Sequence, residues 1–499
     1  MIKGSQDVTN LKTVDEEQGA VNIICLKRVL GLPSAVGLIV NVVIGSGIFV
    51  TPGIVMGYSG SVGLCTVVWI LSGFISSLSA MCVAELSTVV PKSGGAYAYF
   101  FAAYADLHQF FGPLPSFLYM WVILLINTPC SLALTSMIFA SYVYGTFRPL
   151  VTEEFNSHYE TILKDILGIS VLLAVGIMNY FSTKSYSYMQ NYFTVSKMFG
   201  CLYVILGGLY MVVTGKGKPV QFTFDGSKIT LDSLVMAFYY GIYTYNGWSS
   251  VAGVTEEIKK PDKNILRSVI LSLATLTVLF VMMNYAYLTA MSIPDFILSD
   301  AVAVDFGNEV FGRGKIIISV FVAMSLIGSS LSTVFYSSRL WFAAARNGQV
   351  AEFLSYIHKK RMTPTPAVIV EVGLALIFFL LGRSIVDLIK LIAYLIWIFN
   401  TLTMITVYVL RYRQPLANRP HKVLLVVPAL VATVYTVMTV VPLITQPPTR
   451  YIVSALLVLL GIVFYYPFVF RQRPAMSKVS DKLSRFIQDI LHVEPQTAE

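Results

Sequence analysis

Apolar stretches of about twenty residues recur along the chain from Pro33 to the carboxy-terminal region, separated by short polar, charged or Pro- and Gly-bearing segments. At 1.5 Å of helical rise per residue each stretch crosses a hydrocarbon core of about 30 Å. About twelve such spans are counted, beginning near Ser34, Ser61, Gly112, Leu163, Tyr186, Leu231, Arg267, Gly314, Pro364, Ser384, Val423 and Tyr451. The expected fold is an all-α membrane protein.

Two spans are interrupted. In the first, Asn41–Thr51 reads NVVIGSGIFVT, and Gly45 and Gly47 each cost roughly 1 kcal/mol against Ala in a helix interior. In the sixth, Phe238–Ser249 sets Gly241, Asn246 and Gly247 among Tyr239, Tyr240, Tyr243, Tyr245 and Trp248. Irregular backbone at membrane depth survives only where protein buries it or where it lines a cavity. Taken singly, either break also suits small residues that let two helices pack closely, or an aromatic core stripe. Together they stand five helices apart, the spacing of two five-helix repeats of opposite topology facing each other across a solute. This divides the chain into a tail (1–30), a first repeat (31–215), a second repeat (216–414), two trailing spans (415–470) and a carboxy-terminal tail (471–499).

Composition agrees with the pattern: the chain has 499 residues, of which 56% are hydrophobic and 12% charged, and a mean hydropathy of +0.72, which excludes a soluble globular domain. The net charge of +9 does not point to nucleic acid, because the basic residues sit in alternate loops. Lys259, Lys260, Lys263 and Arg267 share one loop, His358–Arg361 another, and Arg411, Arg413, Arg419 and Lys422 a third. Intervening loops are acidic or mixed, as in Glu153, Glu154, Glu160 and Asp165 or Asp295, Asp300, Asp305 and Glu309. By the positive-inside rule both termini are cytoplasmic. The tail to Leu26 has no apolar core of a cleaved signal peptide, so the first span serves as the targeting signal. Cys65, Cys82, Cys130 and Cys201 lie in apolar runs and Cys25 in the tail, so no disulfide framework is expected. No Asn-x-Ser/Thr acceptor occurs. The five histidines, all in loops or tail, make no metal spacing and no nucleophile and base constellation. Neither an enzyme nor a cofactor is expected.

Within the spans a few polar residues stand out. Asn127-Thr128-Pro129-Cys130-Ser131 interrupts the third span, where the proline withdraws a backbone donor; the small polar groups either re-satisfy the freed backbone or form a pocket wall. Lys197 lies in the fifth span, two to three turns from the Lys184 loop, rather deep for snorkelling, and a charge near the bilayer centre costs roughly 2.5–3.5 kcal/mol. An interior role is favoured, with the ammonium tying carbonyls of the broken helix to a neighbour in place of a bound cation. Glu85 and Lys92 read as a cytoplasmic rim pair or part of a gating network. The segment Lys478–Val493 has helical spacing of Val479, Leu483, Phe486, Ile487, Ile490 and Leu491, an amphipathic helix on the inner membrane face or against cytoplasmic loops.

These residues resemble the amino acid, polyamine and organocation transporter superfamily and, within it, the L-type light chains of the heteromeric amino acid transporters. The resemblance is carried by Ile44-Gly45-Ser46-Gly47-Ile48-Phe49, Ala84-Glu85-Leu86, Lys92-Ser93-Gly94-Gly95, Phe111–Pro115, Ala237–Gly241, Gly247-Trp248, Val254–Glu257, Asp300–Val304, Ser337–Leu340, Thr363-Pro364 and Leu410–Tyr412, all in one order. It implies a LeuT-like fold of ten core helices in two inverted repeats plus two trailing helices. The implied activity is sodium-independent exchange of amino acids across the plasma membrane. The family's carboxylate site maps onto Gly45, Ser46 and Gly47, a half-helix amino terminus suited to an anion. Its α-amino site maps onto the carbonyls of Val43, Tyr243 and Asn246, with Tyr243 as the aromatic gate, and its sodium-substituting lysine onto Lys197.

Departures narrow the expected substrate. Asn246 stands where cationic-preferring relatives carry an acid, Ile396 where anionic-preferring ones carry an arginine, and Thr128 where many have a basic residue. A neutral, large or aromatic side chain is therefore expected, lying near Ser131 and Trp248 and against Tyr394, Ile396 and Trp397. The linking cysteine of the family should fall in the loop Tyr144–Lys164, which contains none; the expectation is either a single-pass glycoprotein heavy chain held noncovalently or an independent carrier. Other readings are an amino acid sensor that moves little, a proton-coupled carrier, or a carrier of charged amino acids.

Overall fold

The computed structural model describes residues 28–45, 47–147, 157–181, 183–299, 302–359, 361, 363–382, 385–446, 449–471, 484, 486–488, 491, 493 and 494. In chain order the helices are α1 (Leu32–Val43), α2 (Gly47–Ser59), α3 (Val62–Val89), α4 (Ala96–Tyr104), α5 (Leu114–Val122), α6 (Thr128–Phe147), α7 (Ser157–Tyr180), α8 (Thr183–Val213) and α9 (Leu231–Thr244). There follow α10 (Ser250–Gly253), α11 (Pro261–Ala290), α12 (Ile293–Leu298), α13 (Val302–Phe311), α14 (Lys315–Arg346), α15 (Thr365–Leu381), α16 (Ile385–Arg413), α17 (Val426–Thr445) and α18 (Thr449–Tyr465).

This is an all-α membrane protein. Eight described helical stretches are long and apolar enough to cross a bilayer, and the pair α1 and α2, bent by 51° at its break, makes a ninth. The remaining apolar stretches of the sequence are the shorter α15 and α18 and the interrupted α9 and α10. Helices α7, α8 and α11 leave Ile177, Phe199, Leu206, Leu271 and Val278 exposed, the kind of contiguous apolar surface that a lipid phase covers. The third span is continuous from Leu114 to Thr146 and contains a single π-turn at Ile123–Asn127 just before Pro129, so the missing proline donor is absorbed by local widening of the helix.

The two broken segments pack on one another. Helix α2 runs beside α9, and α1 beside α10 and α11, with α8 and α14 closing the other side of α1. Two glycines make the approach possible. A Cβ on Gly47 would sit 3.1 Å from the Cα of Thr244. Gly247 has φ +116°, and a Cβ there would meet Val42 Cγ1 at 2.5 Å, so both its backbone and its surroundings require glycine.

The face bearing the basic loops is tied together by polar contacts. Leu30 forms a parallel bridge with Ile258, Gly94 N–H donates to Gly253 O at 3.1 Å, and Ser93 N–H donates to Glu256 Oε1 at 3.0 Å. Arg339 donates to Glu257 at 2.8 Å, both side chains being at most 2% exposed. Glu85 does not pair with the exposed Lys92. It accepts a forked pair of bonds from Arg411 at 2.8 and 2.6 Å and a third from Val423 N–H at 2.8 Å.

The segment Lys478–Val493 lies largely outside the described residues. Of those described, Ser484, Phe486–Gln488 and Leu491 are helical. Val493 corrects the expected end of that helix, because Val493–Glu494 forms an antiparallel strand pair with Ile357–His358. An ion pair from Lys359 to Glu494 at 2.5 Å lies beside it. Backbone pairing to the loop between α14 and α15 thus takes precedence over the helical spacing there.

Candidate functional site

The break in the first span begins where backbone pairing leaves the helical pattern. Ile44 N–H still donates to Val40 O, four residues back, at 2.9 Å, but Gly45 N–H turns to Val43 O at 2.8 Å. The Asn41 carbonyl has therefore lost its helical partner, and Ile44 lies beyond the last turn of α1. Lys197 supplies both: its Nζ donates to Asn41 O at 2.6 Å and to Ile44 O at 2.7 Å. The side chain is 1% exposed. Ser325 Oγ donates to the same Ile44 O at 3.1 Å. The amide of Asn41 adds bonds to Gln190 O at 2.9 Å and Thr194 Oγ1 at 2.6 Å, so α8 holds α1 through Gln190 and Thr194 as well as through the lysine. The buried ammonium thus bonds the carbonyl end of α1 as a small cation would.

Helix α2 restarts at Gly47, and the first N–H groups of a helix have no partner within it. Ser46, expected at this anion-binding end, lies outside the described residues. Across from it α9 ends in a tight turn, with Tyr245 N–H donating to Ile242 O at 3.1 Å and Asn246 N–H to Tyr243 O at 2.9 Å, before Ser250 N–H donates to Gly247 O at 3.0 Å. The restarted helix α2 is joined to the end of α9 by the hydroxyls of Thr51 and Thr244, 2.6 Å apart.

Between the breaks lies a cavity of about 100 Å³. Val43, Gly45, Gly47, Tyr243 and Asn246 line it from the two broken segments, as do Ser131 from α6 and Ile396 from α16. No charged side chain lines it among the described residues. Three expected residues are not at this cavity. Trp248 is buried and faces an adjoining space of about 40 Å³ that runs toward Gly94 and Gly95. Tyr394 and Trp397 are buried elsewhere around α16. The face of α16 toward the cavity is Ile392, Ile396, Phe399 and Asn400, spaced as one stripe of a 3.6-residue helix. Trp397, one residue out of phase with Ile396, instead stacks on Tyr435 at 5.4 Å and meets Tyr239 edge-on at 5.9 Å. Among the described residues no cluster of histidine, cysteine or carboxylate groups would hold a metal ion.

The amino acid permease family profile matches residues 30–465. The chain belongs to the amino acid permease family. The permease is 33% identical over 470 residues to the human b(0,+)-type amino acid transporter 1, covering 94% of each chain. It is 34% identical over 473 residues to the human cystine/glutamate transporter (94% of this chain, 91% of the relative). It is 33% identical over 476 residues to the Asc-type amino acid transporter 1 of Mus musculus (94% and 87%).

The cavity of the permease also uses residues that the sequence reading missed. Tyr119, Ile123 and Thr135 join Asn127 and Ser131, which the sequence had offered as a pocket wall, from the third span, and Asn127 Nδ2 donates to Ile392 O at 3.1 Å, pinning that span to α16. Ser329, Thr333 and Tyr336 come from α14. The signal that could have found them is periodic: polar groups at 127, 131 and 135, and at 325, 329, 333 and 336, repeat at helical spacing within otherwise apolar runs.

Proposed function

We propose that this permease is a sodium-independent exchanger of neutral amino acids at the plasma membrane, preferring large or aromatic side chains, and that it works by alternating access. The observation that carries the reading is the cavity itself: two broken helices face each other across a space with no charged wall. The amino terminus of α2, with Gly45, Ser46 and Gly47, takes the substrate carboxylate, since free N–H groups and the helix dipole favour an anion. The carbonyls of Val43, Tyr243 and Asn246 accept from the α-ammonium, and Tyr243 closes over the substrate. Lys197, bonded to Asn41 O and Ile44 O, does the work of a coupling cation, which supports exchange without sodium.

Neutrality follows from cost. A lysine, arginine or glutamate side chain in this cavity would be a buried charge without a counter-charge. Ile123, Ile392, Ile396 and Phe399 offer apolar contact to a larger side chain. The resemblance to L-type light chains supports a single-pass glycoprotein partner. The four described cysteines are all buried, so the partner is held without a disulfide, and non-reducing electrophoresis of the complex should show no thiol-sensitive shift.

Purified protein in lipid vesicles tests the exchange. Efflux of preloaded labelled leucine should rise on addition of external leucine or phenylalanine, with equal rates in sodium and choline buffers. Stimulation by arginine or glutamate above that by leucine would overturn the neutral preference. Efflux indifferent to any external amino acid would overturn exchange.

A further inference from the structure

Helix α15 carries a single charged residue. From Thr363 to Gly382 every residue but Glu371 is uncharged, and Glu371 stands six residues into the helix, about 9 Å from its start at 1.5 Å per residue. Its side chain is 0% exposed. Val368 and Val372, on either side of it in the chain, pack with Leu132, Val175 and Val334. Trp341 Nε1 of α14 donates to Glu371 Oε2 at 2.7 Å, while Oε1 is buried without a partner.

A carboxylate stays charged inside a protein only when a cation or several donors meet it. Helix α15 packs on α6, α7, α14, the π-turn at Ile123–Asn127 and the turn Glu352–Ser355. Of the ionisable groups on these elements, Tyr336 of α14 is the one that interacts with Glu371. Arg339 is committed to Glu257, Lys164 pairs with Glu160, and Glu352 is exposed. Among the described residues no cation pairs with Glu371, so the form that this site accommodates is the neutral acid. Tyr336 also lines the substrate cavity, together with Ser329 and Thr333 of the same helix. The acid is thus bonded to the helix that forms one wall of the cavity, and interacts with a residue of that wall.

We propose that Glu371 is a proton-binding site that must be loaded for the cavity to close. Uptake of a proton from water forms the carboxyl O–H bond and lets α14 and α15 pack as they do in this structure. Its return to water breaks that bond and leaves a buried anion without a counter-charge, which opposes closure. The inference rests on the proposed exchange, which should slow as the medium turns alkaline.

Leucine exchange in vesicles carrying the full chain, with the same pH on both faces, tests this. Between pH 5.5 and 8.5 the wild-type rate should fall by at least about fivefold, whereas Glu371→Gln, which keeps an acceptor for Trp341 and cannot ionise, should vary by less than about twofold. Glu371→Met, equally uncharged, replaces it if the glutamine variant does not fold. Melting of the purified chain in detergent reads the same site without transport. An acid that is neutral when folded and ionised when unfolded binds more protons in the folded state, so stability falls as pH rises. Over the same range the wild type should lose more melting temperature than Glu371→Gln. A wild-type exchange rate indifferent to pH, or a fall that Glu371→Gln retains, as titration of Lys197 would give, would overturn the proton site and leave exchange standing. Absence of leucine exchange at every pH would overturn the proposed function, and the melting comparison would still decide whether Glu371 holds the proton.

Discussion

Replacing Lys197 by methionine removes the ammonium and keeps most of the side-chain volume. In the wild type Nζ meets two carbonyls, Asn41 O at 2.6 Å and Ile44 O at 2.7 Å. Ile44 O retains Ser325 Oγ at 3.1 Å, whereas Asn41 O has lost its helical donor because Gly45 N–H is engaged by Val43 O. The bond to Asn41 is therefore counted in full. A hydrogen bond from a charged donor contributes about 1.5–3 kcal/mol, and with a fraction of the second bond the break in α1 loses about 2–3 kcal/mol. At 1.4 kcal/mol per factor of ten this lowers the population with the break correctly formed by roughly 30- to 150-fold. Global stability changes less, because methionine also removes the desolvation cost of a buried ammonium. The expected result is leucine exchange in vesicles reduced by well over tenfold, with a melting temperature within a few degrees of wild type. Exchange above a third of the wild-type rate would refute the assignment of the lysine to the helix break. A variant that no longer folds would show instead that the lysine serves the whole bundle.

Three further outcomes follow from particular contacts. Gly247→Ala forces an L residue to φ +116° and a Cβ to 2.5 Å from Val42 Cγ1; it should cost about 1–3 kcal/mol, read as a lower melting temperature with exchange strongly reduced. Arg339→Met leaves Glu257 buried without its guanidinium partner. Breaking such a pair costs about 3–5 kcal/mol, and thermal unfolding should recover toward wild type in the double variant with Glu257→Gln. Ile396→Asp places a carboxylate on the cavity wall, so lysine and arginine should begin to inhibit leucine uptake in a competition assay, more at pH 8 than at pH 5, since the carboxylate must be ionised to attract them.

Much of the architecture was legible without coordinates. Length, apolar periodicity and alternating loop charge identify a helical membrane protein, and poor helix formers at Gly45, Gly47 and Gly247 locate the two breaks. The interior placement of Lys197 was also legible, because a cation in the middle of an apolar span has few places to go. Helix phase and long-range partners were not legible. Tyr394 and Trp397 were expected at the substrate and sit elsewhere, since adjacent helical positions lie about 100° apart and Trp397 finds Tyr435 and Tyr239. For Glu85 the sequence left a rim pair with Lys92 and a wider network both open, and the partner it bonds, Arg411, lies over 300 residues on.

The chain alone determines how many apolar stretches exist and where they cannot remain helical, because transfer energy and backbone propensity are local properties of residue type. Which of the polar groups share a cavity is decided by helix rotation and long-range contact. The meeting of Lys197 with two specific carbonyls depends on how α8 packs against the break after α1. No single segment encodes that arrangement, and only the folded bundle fixes it.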